Sequence, residues 1–483
     1  MKTNAYLLLV TFVAAMGGLL FGYDWVVIGG AKPFYEMFFG ISGSPSMQGV
    51  VMGSAIIGCL LGVMLSGSIA DRYGRKPLLV TASLIFILSA VGTGIVNTIE
   101  WFVFWRVIGG VGIGIASNLS PMYIAEVSPP AVRGRLVSVQ QLSIVIGILA
   151  AQIINWLIAD NVVAGEDILS SWNGQTGWRW MFWAEGIPAG LFFVLVFVIP
   201  ESPKWLASKL RYEYAERVFK RFGGAEYAAT EMAGLKADNR LQGTETAARV
   251  DGNRLQGTEN RLQGLKPLQG FKPLQGFKPL QGLWKILLCG IVLAVLQQWC
   301  GINVIFNYAQ EVFASAGYTV SDILFNIVVT GVTNVIFTVV GMYTVDKLGR
   351  RALLLFGCAG LAAIYAVLGY CYYANITGIA VLCLVVAAIA CYAMTLAPVV
   401  WVVIAEIFPM RVRGLAIAIS TFFLWTACFV LTYTFPLLNN ALGAYGTFWL
   451  YGVICLLGFL FVRRNLPETK GKSLEEIEVV VSG

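Results

Sequence analysis

Histidine is absent from all 483 residues of this chain, and charged residues make up only 12% of them. Globular proteins contain about a quarter charged residues, so this chain lacks the polar surface that a soluble protein needs. Without histidine, a side chain that exchanges protons near neutral pH has to be a carboxylate. The nine cysteines lie mostly inside apolar runs, without the spacing of a metal site or a disulfide framework. We therefore expect a membrane protein without a metal or cofactor.

Apolar residues make up 58% of the chain and form continuous stretches of a length that crosses a bilayer. About 20 apolar residues in a helix span a hydrocarbon core of about 30 Å. The stretches predict an all-α protein with twelve transmembrane helices. They cover residues 5–31, 47–70, 78–97, 100–126, 135–159, 178–199, 284–314, 322–345, 352–374, 378–406, 414–436 and 444–462.

The basic residues predict the orientation of these helices. With both termini in the cytoplasm, all but three of the 33 lysines and arginines lie on the cytoplasmic side. The exceptions are Lys32, Arg106 and Arg179. Because cytoplasmic loops carry an excess of positive charge, we expect this topology in a cell membrane. The net charge of +7 then indicates contact with anionic lipid, not with nucleic acid.

Two charged loops show that the chain contains an internal duplication. Asp71-Arg-Tyr-Gly-Arg-Lys76 recurs as Asp346-Lys-Leu-Gly-Arg-Arg351, each between two long apolar runs. Glu126 precedes Arg133 by the same distance as Glu406 precedes Arg413. Duplicated halves with a site between them are typical of secondary transporters. We predict two pseudo-symmetric six-helix halves, 1–199 and 284–463, followed by a cytoplasmic tail, 464–483.

The segment between the halves, 200–283, differs in composition from the rest of the chain. Residues 201–235 favour amphipathic cytoplasmic helices, whereas 236–283 contains short repeats, three of Asn-Arg-Leu-Gln-Gly and several ending in Pro-Leu-Gln-Gly. We interpret 236–283 as a mostly flexible insert, either a repeat expansion in a tolerant loop or a docking site for a partner.

An ordered set of motifs resembles the sugar porter family of the major facilitator superfamily. The set comprises Arg106-Val-Ile-Gly-Gly-Val-Gly-Ile-Gly114, Pro121-Met-Tyr-Ile-Ala-Glu126, Pro200-Glu-Ser-Pro-Lys204, Gln297-Gln298 with Asn303, Glu406-Ile-Phe-Pro409 and Pro467-Glu-Thr-Lys-Gly471. The resemblance covers nearly the whole chain except 236–283, and it is greatest to bacterial proton-coupled xylose, arabinose and galactose symporters. It implies the major facilitator fold and a monosaccharide substrate, and we expect the protein to act as a monomer.

Amide and aromatic side chains inside apolar runs are candidates for the sugar site. A sugar has hydroxyl groups and apolar faces, so amides and an aromatic wall suit it. Lone amides in membrane helices are also explained by interhelical hydrogen bonds. The residues from which we start are Gln141, Gln297, Gln298, Asn303, Asn334 and Trp401.

The resemblance implies that these six positions contact sugar, and it adds Phe21 and several departures from the family pattern. Ile148 replaces a second glutamine, Asn307 replaces a tyrosine, Ala397 replaces a glycine, and Phe422-Phe423 replaces a Gln-Trp pair. Because the site loses amides and gains apolar wall, xylose specificity does not carry over.

Asp24, in the first apolar run, and Arg106, in the fourth, are candidates for proton coupling. An ionisable group inside the membrane is a functional candidate by default, although a purely structural ion pair is the alternative. The resemblance implies a coupling role for both residues and adds Glu185 in the sixth run.

The duplicated loop charges are candidates for a cytoplasmic gate. They are Asp71, Arg75, Glu126, Arg133, Asp346, Arg350, Glu406 and Arg413. Exposed ion pairs contribute little stability, so these residues could merely set topology. Their matched spacing favours a further role. The resemblance implies pairs that bridge the halves on the cytoplasmic side and stabilise an outward-open state.

Three functions remain open at this point: a proton–monosaccharide symporter, a facilitative uniporter of the same fold, and a non-transporting sugar sensor that signals through 200–283. A membrane enzyme is disfavoured, because the Gly-rich segment 106–114 lacks the Lys-Ser/Thr of a phosphate loop and no nucleophile–base set occurs.

Overall fold

The structure, a computed structural model, describes residues 4–129, 132–160, 167–260, 284–408, 413–466 and 468. Within these ranges the side chains of 237–260, 346, 405, 413 and 414 are not described. Every regular element in the described ranges is a helix.

The helices are numbered in chain order. They are α1 (Ala5–Phe38), α2 (Pro45–Tyr73), α3 (Arg75–Ile95), α4 (Ile99–Val127), α5 (Arg133–Ile158), α6 (Trp178–Trp183), α7 (Gly186–Leu195), α8 (Pro203–Ser208), α9 (Tyr212–Asn260), α10 (Trp284–Trp299), α11 (Ile302–Asn307), α12 (Ala309–Ala314), α13 (Val320–Leu348), α14 (Arg350–Tyr373), α15 (Ile379–Met394), α16 (Leu396–Ile407) and α17 (Arg413–Asn465). A π-helical turn, Asn173–Gly177, precedes α6.

Ten helical stretches among the described residues are long and apolar enough to cross a membrane, where the sequence predicts twelve. The run 178–199 forms the short helices α6 and α7, which are interrupted at Ala184 and Glu185. The last two runs are joined in α17, whose backbone is non-helical at Gly443. A straight helix as long as α17 would measure about 80 Å, far more than a bilayer core of about 30 Å.

Two further predicted runs are discontinuous helices. The run 284–314 forms α10, α11 and α12, with Gly301 in the left-handed region at φ 86°. The run 378–406 forms α15 and α16, which meet at Thr395. Broken helices leave backbone carbonyl groups available to side chains and ligands, as in many transporters.

The helices pack as a first set, α1–α7, and a second set, α10–α17. Within the first set α1 packs on α5 and α2 on α4, and within the second α17 packs on α10 and α14. Gly58 and Gly62 bring α2 so near α4 that a Cβ would lie 2.0 Å and 2.4 Å from backbone oxygens. The two sets meet where α2 contacts α17, α5 contacts α13, and α1 contacts α11 and α12.

The segment between the two sets differs from the flexible insert that the repeats predicted. Helix α9 extends to Asn260, with a break at Gly224, and includes two of the Asn-Arg-Leu-Gln-Gly copies. Residues 239–260 contain no proline, so nothing in them blocks a helix. Most of the third copy and the Pro-Leu-Gln-Gly units lie outside the described residues.

Candidate functional site

A buried ion pair joins α1 and α4 in the interior of the first set. The Nη1 atom of Arg106 donates to Oδ1 of Asp24, and Nη2 donates to the Asp24 backbone oxygen at 3.3 Å. Both side chains are 2% exposed. The guanidinium also lies over the Phe182 ring, 5.8 Å from its centroid. The structure therefore brings together the two residues that the sequence singled out.

Glu185 adds a second carboxylate to this pair. It occupies the interruption between α6 and α7, is 2% exposed, and interacts with both Asp24 and Arg106. Oδ2 of Asp24 and Oε1 of Glu185 have no hydrogen-bond partner among the described residues. One guanidinium therefore faces two carboxylates, and the group has a net negative charge when both are ionised. Because an uncompensated buried charge is costly, this arrangement can bind one proton.

The amides of the second set form a connected group. The Gln297 amide donates to the backbone oxygens of Leu396 and Ala397 at 3.3 Å and 3.1 Å, at the start of α16. Gln298 donates to Gln297, and Asn303 donates to Gln298. The break at Gly301 allows α10 and α11 to present these side chains together. Gln297 thus forms hydrogen bonds between helices, which is the structural role that a lone amide in a membrane helix can have. It also accepts the hydrogen bond from Gln298 that starts the amide series.

The other predicted sugar residues differ in their exposure. Gln141 is half-buried, Ile148, Asn307 and Asn334 are buried, and Trp401 is exposed. The Asn307 Oδ1 atom has no partner in the described part of the chain. Gly22 of α1 lies against the α5 backbone, where a Cβ would contact the Ile148 nitrogen at 3.0 Å.

Sequence reasoning missed two buried glutamines on α5. Gln140 and Gln152 are buried, and within the described ranges neither amide atom of either side chain has a partner. Gln140 lies against Gly18 of α1, and Gln152 lies against Gly331 of α13. Since buried polar atoms are nearly always paired, these amides are also candidates for a polar ligand. Their position inside an apolar run was the available signal.

The aromatic candidates for the sugar site lie in different surroundings. Phe422 and Phe423 are exposed and contact each other. Phe21 instead contacts Trp25 and Trp425, with ring centroids 6.1 Å and 5.9 Å away, and the two tryptophans are 5.9 Å apart. Trp425, which the sequence analysis passed over, provides the α17 side of this aromatic cluster.

The duplicated loop charges form two matching networks. In the first set Nη2 of Arg75 lies 3.0 Å from Glu126 and 3.1 Å from Asp71. In the second set Nη2 of Arg350 lies 3.1 Å from Glu406. Each of these pairs lies within one set, and the bridges predicted for an outward-open state are not among them. The reason is geometric: each arginine begins the helix that packs beside the end of its own glutamate-bearing helix.

The remaining predicted gate residues contribute less to these networks. Arg133 donates to the Ser128 backbone oxygen at 3.4 Å. The side chains of Asp346 and Arg413 lie outside the described residues.

A further carboxylate completes each network. Glu201 accepts from the backbone N–H groups of Arg75 and Lys76 at the start of α3, and Glu468 accepts from those of Arg350 and Arg351 at the start of α14. A carboxylate stabilises a helix N-terminus through its unpaired N–H groups and dipole. Burial raises the pKa of Glu201, although its backbone hydrogen bonds act in the opposite direction. Both glutamates lie in motifs of the sequence, but the motifs did not predict this contact.

The glycine of each hexapeptide is required by the same geometry. Gly74 and Gly349 have φ values of 105° and 91°. A Cβ at these positions would lie 2.3 Å from Glu201 and 2.8 Å from Glu468. Only glycine combines this backbone conformation with so close a carboxylate.

Comparison with known proteins identifies the family. The family model described as "Sugar (and other) transporter" matches residues 10–481. The chain is 35% identical to the D-xylose-proton symporter of Escherichia coli K12, with 99% of this chain and 96% of that protein covered. It is 36% identical to the arabinose-proton symporter of Bacillus subtilis, with 98% and 94% covered. It is also 32% identical to a glucose facilitated diffusion protein of Zymomonas mobilis, with 97% and 96% covered.

Solved structures give the same result. The inward open conformation of the E. coli xylose transporter XylE superimposes with a TM-score of 0.81 at 33% identity, covering 98% of this chain and 100% of that chain. The same transporter bound to 6-bromo-6-deoxy-D-glucose gives a TM-score of 0.75 at 34% identity, covering 99% and 100%. The chain is therefore not an enzyme but a multi-pass membrane transporter that belongs to the sugar porter family of the major facilitator superfamily.

Proposed function

We propose that this protein imports a monosaccharide together with a proton across the cell membrane by alternating access. The observation that carries the proposal is the buried group of Asp24, Arg106 and Glu185, in which two carboxylates share one guanidinium. A carrier of a neutral sugar has no need of charges at this depth unless they take part in energy coupling.

The coupling step follows from the charges of this group. When the group holds a proton, one carboxylate is neutral and the other pairs with Arg106, so the halves can rearrange without an unpaired buried charge. When the proton leaves towards the cytoplasm, both carboxylates are ionised and Arg106 is their one cation, so the group has a net negative charge. This unfavourable charge drives the carrier back to the state that binds a proton from outside. The proton thus moves with the sugar and down its own gradient.

The proposed sugar site lies between the amides of the second helix set and the aromatic cluster. Gln297, Gln298 and Asn303 form a chain of donors and acceptors that matches ring hydroxyl groups. Phe21, Trp25 and Trp425 provide an apolar wall that joins both sets. Ile148 and Asn307 alter the pattern of xylose carriers, so the substrate class is a pentose or a hexose.

The proposed function also requires a particular arrangement of the helices in the membrane. The twelve apolar runs form two six-helix halves, with both termini and the basic loops in the cytoplasm, where they contact anionic lipid headgroups. Matching networks at Arg75 and Arg350 support a duplication of one six-helix unit. Similarity to XylE in an inward open state and in a partially occluded inward open state, with TM-scores of 0.81 and 0.80, supports an inward-facing state for this structure. Nothing in this scheme requires a second copy of the chain or a nucleic acid.

Uptake of labelled monosaccharides into vesicles, with and without an inward-directed proton gradient, tests the proposal. A symporter accumulates at least one pentose or hexose above equilibrium when the gradient is present. The alternative, facilitated diffusion, has support in the similarity to the glucose facilitated diffusion protein. It predicts that the sugar reaches equal concentrations on both sides, whether or not a proton gradient is present. A chain that binds sugar without any uptake would contradict both functions.

A further inference from the structure

A buried lysine lies near the end of α1 farthest from the charged loops. The side chain of Lys32 is 2% exposed and its Nζ atom lies 2.8 Å from Oε1 of Glu36, which is 8% exposed. The same ammonium group contacts Oε1 of Glu311 on α12, which is 24% exposed. It also lies over the Tyr308 ring, 5.5 Å from the centroid. Lysine is almost never fully buried unless it is paired, and here it has two carboxylate partners.

The two partners of Lys32 come from different parts of the molecule. Glu36 follows Lys32 by four residues on the same helix, so that pair persists however the helix sets move. Glu311 belongs to the second set, so its pair with Lys32 joins the two sets. The ion pairs of Arg75, Arg106 and Arg350, in contrast, each lie within one set.

The backbones of the two sets are also in close contact at this point. A Cβ at Gly29, almost one turn before Lys32, would lie 3.1 Å from the carbonyl oxygens of Phe306 and Asn307. Nearby, a Cβ at Gly49 at the start of α2 would lie 2.4 Å from the Tyr433 carbonyl oxygen of α17. The sets are therefore closed against each other at the end of the molecule that carries Lys32.

Other polar groups hold the triad of Lys32, Glu36 and Glu311 in position. The Gln48 amide of α2 donates to Oε2 of Glu36 at 3.4 Å, and the Tyr308 hydroxyl donates to the Thr432 backbone oxygen at 2.7 Å. Tyr35 of α1 is buried nearby, where its hydroxyl donates to the Met52 sulfur. Oε2 of Glu311 has no hydrogen-bond partner among the residues that the structure describes. Within that part of the chain, the second carboxylate of the triad thus depends on Lys32.

We propose that Lys32 is a positioning residue for transport that controls the extracellular gate by exchanging partners. The inference rests on the alternating access of the proposed function. In the inward-facing state Lys32 pairs with Glu311 and closes the outer side. When the outer side opens, Glu311 leaves with the second half, and Glu36 keeps the ammonium paired. The gate can therefore open without leaving a lone buried cation, whose cost would block the movement.

This exchange predicts opposite effects for the two glutamates. Glu311→Gln removes the bond between the halves but leaves Lys32 paired with Glu36, so the outward-open population should rise. Glu36→Gln leaves Lys32 dependent on Glu311, so the outward-open population should fall. We expect shifts of about tenfold in either direction, since removal of one partner from a buried pair is strongly unfavourable. A purely structural ion triad would instead lose stability in both variants, without opposite conformational shifts.

Distances between spin labels at Ser46 and Thr377, exposed residues of the first and second sets, measure the outer gate in nanodiscs. The exposed Cys383 is first replaced by serine to avoid its labelling. Asp322→Asn is the matched control, because this exposed carboxylate of the second set bonds to Thr319 beside it. Each variant is first checked for a single symmetric elution peak. The swap Lys32→Glu with Glu311→Lys keeps the bond between the two sets but moves the cation to the second set, where Glu36 cannot follow it. The swap should therefore lower the outward-open population, because opening would leave two carboxylates together on α1 without a cation.

The outcomes separate this inference from the proposed function. Opposite shifts for the two glutamates, with a lower outward-open population in the swap variant, support the gate. In a second outcome the wild type shows two distances, one for each state, while both variants leave their populations unchanged or shift them in the same direction. That result overturns the gate but leaves alternating access standing. A single distance in the wild type with and without sugar overturns the gate and alternating access together.

Discussion

At the scale of single residues, the protein buries charged and amide groups that lack some of their hydrogen-bond partners among the described residues. Asp24, Arg106 and Glu185 are nearly inaccessible, yet carboxylate oxygens of the first and last have no partner among the described residues. Gln140 and Gln152 are buried with all amide atoms unpaired in the same ranges. Under the proposed function a ligand or a proton satisfies these groups during the cycle, whereas a static core would favour apolar side chains at the same positions.

Replacement of the central amides should weaken sugar binding. Gln297→Ala and Asn303→Ala each remove hydrogen bonds worth about 0.5–1.5 kcal/mol, a loss of roughly 2- to 12-fold in affinity. Calorimetry on purified protein measures the change. Asn465→Ala is the control, since that amide is exposed and bonds to the Phe461 backbone oxygen at the end of α17. Unaltered affinity in both central variants would place the sugar elsewhere.

The aromatic wall offers a second test at this scale. Trp425 contacts Phe21 and Trp25 across the two helix sets, whereas Phe423 contacts its exposed neighbour Phe422. Trp425→Ala should therefore lower sugar affinity more than Phe423→Ala, because it removes the stacking surface. The same calorimetric titration compares them, and a larger loss of affinity in Phe423→Ala would support the sequence-based assignment of Phe423 to the sugar site instead.

At the scale of elements, long apolar runs were enough to predict where helices lie, but not where they break. A run of apolar letters carries the same signal whether the helix continues or is interrupted, as at Glu185, Gly301 and Thr395. The breaks depend on neighbouring helices that the sequence of one run does not contain. In the same way, Glu201 lies 126 residues after Arg75, so its contact with the start of α3 could not be predicted from spacing.

The hexapeptide glycines should be intolerant of a side chain. Gly74→Ala and Gly349→Ala force a Cβ into a backbone region that costs about 1–3 kcal/mol and push it against a carboxylate. We expect a lower unfolding temperature in detergent for both. Gly67→Ala is the control, because a Cβ on that helical glycine would meet no atom of the described residues within 4 Å. Equal unfolding temperatures in all three variants would contradict this explanation of the motif.

Deletion of residues 239–282 should leave sugar uptake nearly unchanged. Because loop length contributes little to stability, we expect the two apolar halves to fold without this segment. Uptake into cells, normalised to the folded protein in the membrane, is the measurement. A shortened protein that reaches the membrane folded but transports no sugar would instead favour the sensor or docking function of the central segment.

At the scale of the whole molecule, the repeated charges of the sequence correspond to two matching networks, at Arg75 and at Arg350. The predicted bridges between the halves belong to an outward-open state, so pairs within each set in the proposed inward-facing state leave that prediction standing. Spacing alone does not distinguish a partner in the same half from one across the interface. The cross-half ion pair of Lys32 and Glu311 escaped notice because the sequence marked Lys32 only as an exception to the charge distribution.

The central claim is that Asp24 binds and releases the transported proton, and Asp24→Asn tests it most directly. Asparagine keeps the size and hydrogen-bonding capacity of the side chain but cannot ionise, so the group near Arg106 can no longer alternate. Sugar uptake into vesicles is measured with a proton gradient and, separately, as exchange of labelled for unlabelled sugar without one. Asp322→Asn is the control. The account predicts that Asp24→Asn loses accumulation driven by the gradient but retains exchange. Accumulation that survives intact would contradict it and leave Glu185 as the carboxylate to test.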